Sequence, residues 1–248
     1  MIRKVIGVSF LIAFLLGCSA DGLAQKLHPK LKKKETSLKT FLLVPPKVTI
    51  TKGTVKGGEM MLKESEDIEK ATQKLVLDTL KAKGFTVMES DAPADSANPN
   101  EETRYAMADL QGKYDQLYPQ VQRKMKDVEK GRFTLGEDVA KIRPPSPVDA
   151  LIFVRGSGNV LTAGKAILGA LAGGQAGSML YLSFGIIDAQ TGEVLYFDQR
   201  QVASAAKGVG MFGQKSFHEQ PEEVLKKPID KAFQKVPVPA PTSAPSTK

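Results

Sequence analysis

The sequence predicts an α/β fold, a mixed sheet of about five strands with helices packed on it, and three observations carry that prediction. Val148-Asp149-Ala150-Leu151-Ile152-Phe153-Val154 is a short continuous apolar run bounded by Pro147 and Gly156, the pattern of a central strand buried on both faces. Met179 to Ile187 and Glu193 to Asp198 flank Asp188-Ala189-Gln190-Thr191-Gly192. These pieces form a C-terminal β-hairpin, in which Asp188 caps the backbone two residues on and Gly192 supplies a positive φ. Upstream, Phe41-Leu42-Leu43-Val44, a helical stretch and Phe85-Thr86-Val87-Met88 make a βαβ unit, because a crossover of that length joins parallel strands.

The elements follow in order. Arg3 and Lys4 form a positive n-region, and Val5 to Leu16 an apolar segment too short to span a bilayer comfortably. It closes on Leu15-Leu16-Gly17-Cys18, which resembles a bacterial lipobox. That resemblance implies cleavage between Gly17 and Cys18, with acyl chains carried on the Cys18 thiol and the new amino group. Two or three chains anchor stably where one is marginal. The competing reading is an ordinary secretory signal with a chance cysteine. Cys18 is the only cysteine, so an intrachain disulfide is excluded. Ser19 follows it, and in enterobacterial sorting a residue other than Asp there favours the outer membrane, facing the periplasm.

Residues 18–39 are expected to be a lipidated basic tether, since Lys26, Lys30, Lys32, Lys33, Lys34 and Lys39 meet only Asp21 and Glu35. A solvated linker and attraction to anionic headgroups or peptidoglycan both fit this composition. A single domain is expected over residues 40–235. Phe41 to Val44 is its first strand, Val48-Thr49-Ile50-Thr51 a continuation, and Gly53, Gly57 and Gly58 mark a loop. A helix over Ser65–Lys83 has Ile68, Ala71, Leu75, Thr79 and Ala82 on one face, Asp67 and Glu69 in its first turn and Gly84 as its stop.

A helical insert occupies 98–142. Asn98-Pro99-Asn100-Glu101 is a helix start. Met107, Leu110, Tyr114, Leu117, Val121, Met125 and Val128 then form a seam interrupted by Pro119, where a kink or two abutting helices are expected. The seam either covers one face of the sheet or offers a coiled-coil surface to a partner. Thr134 to Glu137 opens a short helix ended by Pro144-Pro145. The hairpin face of Leu180, Leu182, Phe184 and Ile186 has period 2, which sets its register.

A glycine-rich insert spans 155–178. Gly169, Gly173 and Gly177 recur at every fourth position in a charge-free run from Ala166 to Ile187. It reads as a loop or small surface helix, or as a segment that packs closely in a membrane. A last amphipathic helix carries Val224, Leu225, Ile229, Ala232 and Phe233 behind first-turn Glu222 and Glu223. Residues 236–248 are Pro, Ala, Ser and Thr-rich, a tail expected to be disordered.

Chemistry is harder to find. The net charge is +8, or +6 once Arg3 and Lys4 are removed, with few aromatics between the lysines, which argues against nucleic acid. Gly208-Val209-Gly210-Met211-Phe212-Gly213 matches a dinucleotide fingerprint but lacks a following helix. The phosphate-loop mimics over 208–216 and 158–165 misplace Lys215 or put Ala166 where a hydroxyl belongs. His28 and His218 have no ligand-spaced companion. No nucleotide, cofactor, metal or catalytic residue is therefore expected, and the chain is read as a non-enzyme.

Lipobox, basic tether, Phe41-Leu42-Leu43-Val44-Pro45-Pro46, Gly84-Phe85-Thr86-Val87, Asp149 to Val154 and the hairpin around Asp188-Ala189-Gln190-Thr191-Gly192 together resemble the lipoprotein superfamily containing CsgG, LpoB and the TolB amino-terminal domain. The resemblance is to an uncharacterised branch and covers roughly 40–235. It implies an α/β sandwich and non-catalytic work in the cell envelope, as a protein-binding adaptor or assembly factor anchored in the lipid bilayer through Cys18. The alternative it leaves open is an oligomeric export component of the outer membrane whose 160–187 segment enters the membrane. It supplies no catalytic residue.

Overall fold

The computed structural model describes residues 25–54, 57–90, 101–142, 147–161, 177–205 and 216–238. Eight strands form one mixed sheet: β1 (Lys26–Leu27), β2 (Thr40–Leu43), β3 (Lys47–Thr54), β4 (Gly57–Met60), β5 (Thr86–Glu89), β6 (Ala150–Leu161), β7 (Gly177–Asp188) and β8 (Val194–Ala205). The helices are α1 (Pro29–Lys32), α2 (Leu62–Ala82), α3 (Glu101–Arg123) and α4 (Pro221–Ala232), with 3₁₀ turns over Met125–Lys130 and Glu137–Lys141.

The main path of the sheet runs β1-β8-β7-β6-β2-β5. The apolar run beginning at Ala150 is its central strand, with β2 parallel on one side and β7 antiparallel on the other. Alternate residues of β6 enter different cores. Ile152 and Val154 face the side of α2 and α4, while Leu151 and Phe153 face the side of α3. Burial on both faces explains why this strand shows no polar alternation.

The βαβ reading holds: β2 and β5 are parallel, Thr40 opposite Thr86, with α2 crossing between them. Gly84, at φ +85°, ends α2 while Phe85 N–H returns to the Leu80 carbonyl. The hairpin also forms as read. Asp188 Oδ1 accepts from the Gln190 and Thr191 N–H groups at 2.9 and 2.8 Å, and Gly192 has φ +71°. Leu180, Leu182, Phe184 and Ile186 are all fully buried on one face. The seam of α3 covers the opposite face, where Tyr114 stacks on Phe153 at 4.3 Å. Helix α3 continues through Pro119 to Arg123, and the 3₁₀ turn carries the seam on to buried Val128.

Several expectations are corrected. The sheet has eight strands rather than about five. Of the additional strands, β1 comes from residues read as tether and β4 from residues read as loop. The stretch 47–60 is an antiparallel β3–β4 pair, not a continuation and a glycine loop, and β3 runs parallel to the distal half of β6. The 155–178 insert begins as strand, because β6 continues to Leu161; residues 162–176 lie outside the described residues. Asp67 and Glu69 fall beyond the first turn of α2. Glu69 instead accepts from Val48 N–H at 2.7 Å and Ser65 Oγ from Ile50 N–H at 2.9 Å, which satisfies backbone donors on the outer edge of β3.

A further correction concerns the tether. From Gln25 onward the chain is part of the domain: β1 pairs with β8, Lys26 opposite Phe197, and Leu31 and Leu38 are buried. His28, 5% exposed, caps α1 by accepting from Lys30 N–H at 3.2 Å, and burial lowers its pKa. At the other end Val236 is buried too, so the packed chain extends one residue past the expected boundary.

Candidate functional site

Gly17 and Cys18, the predicted cleavage and lipidation residues, lie outside the described residues, as do Lys165, Lys215 and Gly208 to Gly213. At Gln25, the first described residue after Cys18, the chain is already held in the domain. The Gln25 side-chain amide donates to the Lys231 carbonyl and, at 3.2 Å, to the Ala232 carbonyl. Gln25 is thereby clamped on the end of α4, and Tyr196 O–H donates to the same Ala232 carbonyl from β8.

Charges gather around this point. On one side Glu129, in the 3₁₀ turn after α3, meets Lys32 Nζ at 2.9 Å and Lys26 Nζ at 3.8 Å. With Lys126 also close, these ammonium groups hold the Glu129 carboxyl below its ordinary pKa; the Lys32 hydrogen bond is the largest cause. On the other side Asp198 is completely buried in β8 and receives Arg200 Nε at 2.6 Å. Burial pushes its pKa up to about 6, against the downward pull of Arg200, the Gln199 backbone and Lys235. Its second oxygen, Oδ1, is buried without a hydrogen-bond partner. Arg200 also donates to the Lys231 carbonyl at 3.2 Å, linking the ion pair to the clamp on Gln25.

A second polar cluster lies across the sheet. Arg155, 6% exposed at the middle of β6, donates to Asp115 of α3 and to the Val154 carbonyl, and lies 5.2 Å from the Tyr114 ring centre. Lys47 Nζ reaches Asp115 at 2.9 Å. Burial pushes the Asp115 carboxyl up, but hydrogen bonds from Arg155 and Lys47 win and hold it below the usual carboxylate value. This arrangement ties α3 to the sheet.

A groove of about 630 Å³ between α2 and α4 is lined by Lys74, Asp78, Thr79, Glu222, Glu223 and Asp230 among others. Lys74 and Glu222 pair at 2.6 Å, and Thr79 O–H donates to Asp230 at 2.7 Å. Glu222 thus sits in the first turn of α4 as read, engaged in helix–helix contact. Ser216 and His218 hydrogen-bond within one turn, with the His218 ring edge-on to Phe217. Among the described residues no group of three His, Cys, Asp or Glu side chains could hold a metal ion. Among the same residues no helix is long and apolar enough to cross a membrane.

No known family matches the chain, and no curated protein matches it. Solved structures do match. The PelC dodecamer from Paraburkholderia phytofirmans is 10% identical over 84% of this chain and 94% of its own, with a TM-score of 0.35. Lipoprotein GNA1162 from Neisseria meningitidis is 11% identical over 80% of this chain and 99% of its own, with a TM-score of 0.34. A putative neuraminyllactose-binding hemagglutinin homolog from Helicobacter pylori is 10% identical over 79% and 82%, with a TM-score of 0.36. At such identities and scores these likenesses define neither a family nor a function for this chain.

Proposed function

We propose that this chain is a lipid-anchored protein of the bacterial cell envelope, held in the outer membrane by acylated Cys18, whose α/β domain binds an envelope protein partner and catalyses no reaction. One observation carries the reading: the apolar segment Val5 to Leu16 closes on Leu15-Leu16-Gly17-Cys18, and the chain is clamped into a packed domain by Gln25. A lipidated residue so close to a folded unit is suited to holding that unit at a membrane surface.

The export alternative draws less support. Of its 160–187 segment, residues 177–187 form β7, whose Leu180, Leu182, Phe184 and Ile186 belong to the core. The rest of the segment outside β6, 162–176, lies outside the described residues and numbers fewer than the ~20 residues a helical span requires.

Metabolic labelling with an alkyne fatty acid tests the anchor: wild-type protein should be tagged and Cys18→Ala should not. Crosslinking of the tagged protein in intact cells tests the partner, with a discrete crosslinked species expected. Equal labelling of both proteins refutes the anchor; recovery of the chain only as an uncrosslinked monomer refutes the adaptor role.

A further inference from the structure

The separation of Cys18 and Gln25 limits how far the domain can stand from whatever holds Cys18. Seven Cα–Cα steps reach roughly 25 Å when fully extended. Gln25 lies beside β1, an edge strand of the sheet, and the two charged clusters flank this edge from opposite layers. Lys26, Lys32 and Lys126 surround Glu129 on one side. Arg200 and Lys235 accompany Asp198 on the other. In these two clusters five cations therefore meet two carboxylates, one of them fully buried. At the remote β3–β4 end Lys52 lies opposite Glu59 in the strand register.

We infer that the β1 edge is a membrane-docking surface, with its lysines against anionic lipid headgroups and the β3–β4 end directed away from the bilayer. This rests on the reading of Cys18 as an acylated anchor. Coulomb attraction to a headgroup layer is screened over about 8 Å at physiological salt, so a basic face gains from it only when kept close. The short connection holds the β1 edge within roughly 25 Å of Cys18, about three screening lengths. Lys32, Lys126 and Lys235 are exposed, and their flexible stems let the ammonium groups reach headgroups without displacing the domain.

The test uses the full acylated protein in phosphatidylethanolamine vesicles, with and without phosphatidylglycerol. A donor dye is placed at Gln234→Cys, beside the proposed face, or at Glu59→Cys, on β4; both residues are exposed. The acceptor is on the lipid headgroups. A domain of this length is roughly 40 Å across, so transfer from position 234 in anionic vesicles should exceed that from position 59 by at least about twofold. Lys126→Glu with Lys235→Glu should erase the difference, as should omission of phosphatidylglycerol. Lys52→Glu with Lys63→Glu should preserve it.

Mass spectrometry of the same sample separates the two ideas. An unmodified Cys18 overturns the anchoring reading and the inference with it. An acylated Cys18 with position 59 as close to the lipid as position 234 overturns the inference alone. So does a difference that ignores both the charge reversal and the lipid charge.

Discussion

Replacing Gly192 by alanine separates two costs that a glycine in a turn can hide. Gly192 has φ +71°, and a Cβ built there lies 2.3 Å from the Gly136 carbonyl oxygen and 2.8 Å from the Gly136 nitrogen. Those are backbone atoms and cannot swing aside. Leu135 N–H donates to the Gly192 carbonyl at 2.9 Å and Val194 N–H to the Phe133 carbonyl at 3.0 Å, so the 133–136 segment is tied to the hairpin on both sides of the clash. Gly84 supplies the control, because it has φ +85° but no atom within 4 Å of its would-be Cβ. Gly84→Ala should cost only the left-handed backbone, about 1–2 kcal/mol. Gly192→Ala should cost that plus an overpacking term of about 1–3 kcal/mol, some 2–5 kcal/mol together. Urea unfolding of the chain from Ser19 onward measures both. With m near 2 kcal/mol/M, the Gly192→Ala midpoint should fall by roughly 1–2.5 M. Equal midpoints for the two variants, at unchanged m, would refute the packing of 133–136 against the turn.

Two further outcomes are expected. Phe184 is fully buried and meets Phe233 of α4 edge-on at 5.4 Å, so Phe184→Ala should lower stability by about 3–5 kcal/mol; wild-type melting would mean that the β7 register is wrong. Asp198, with its pKa raised from 3.8 to about 6, holds its proton more tightly in the folded chain than in the unfolded one. Its contribution is therefore most favourable below pH 4 and is lost as pH rises through about 6, a fall of up to roughly 3 kcal/mol. Asp198→Asn removes that fall, so its stability relative to wild type should improve between pH 4 and pH 7. A difference independent of pH would show that Asp198 is not the titrating group.

Much of the fold was legible because its signals are local in sequence. The Asp188–Gly192 turn, the period-2 face of β7 and the 3–4 spacing from Met107 to Val128 each identify an element from a short window. What stayed hidden depends on distant partners. Lysines dominate residues 26–34 and mask Leu27 and Leu31, yet the partners of these residues lie in β8 and the far end of the chain. Gly156 and Gly158 resemble loop residues. They stand in β6 because Val48, Leu182, Ile50 and Leu180 fill the space a side chain would take. Asp198 and Arg155 gave no sign of burial, since each acquires its partner only when strands and helices meet. The expectation at Cys18 rests on the end of its apolar segment alone, and Cys18 lies outside the described residues. The clamp on Gln25 and the two charge clusters beside it were not legible.

The central claim is that Cys18 is the lipidated first residue of the mature protein. Mass spectrometry of the amino-terminal peptide from native membranes tests it most directly. A chain beginning at Cys18 and carrying a diacylglycerol thioether is the predicted result; an unmodified Cys18, or a chain that begins at any other residue, would contradict it.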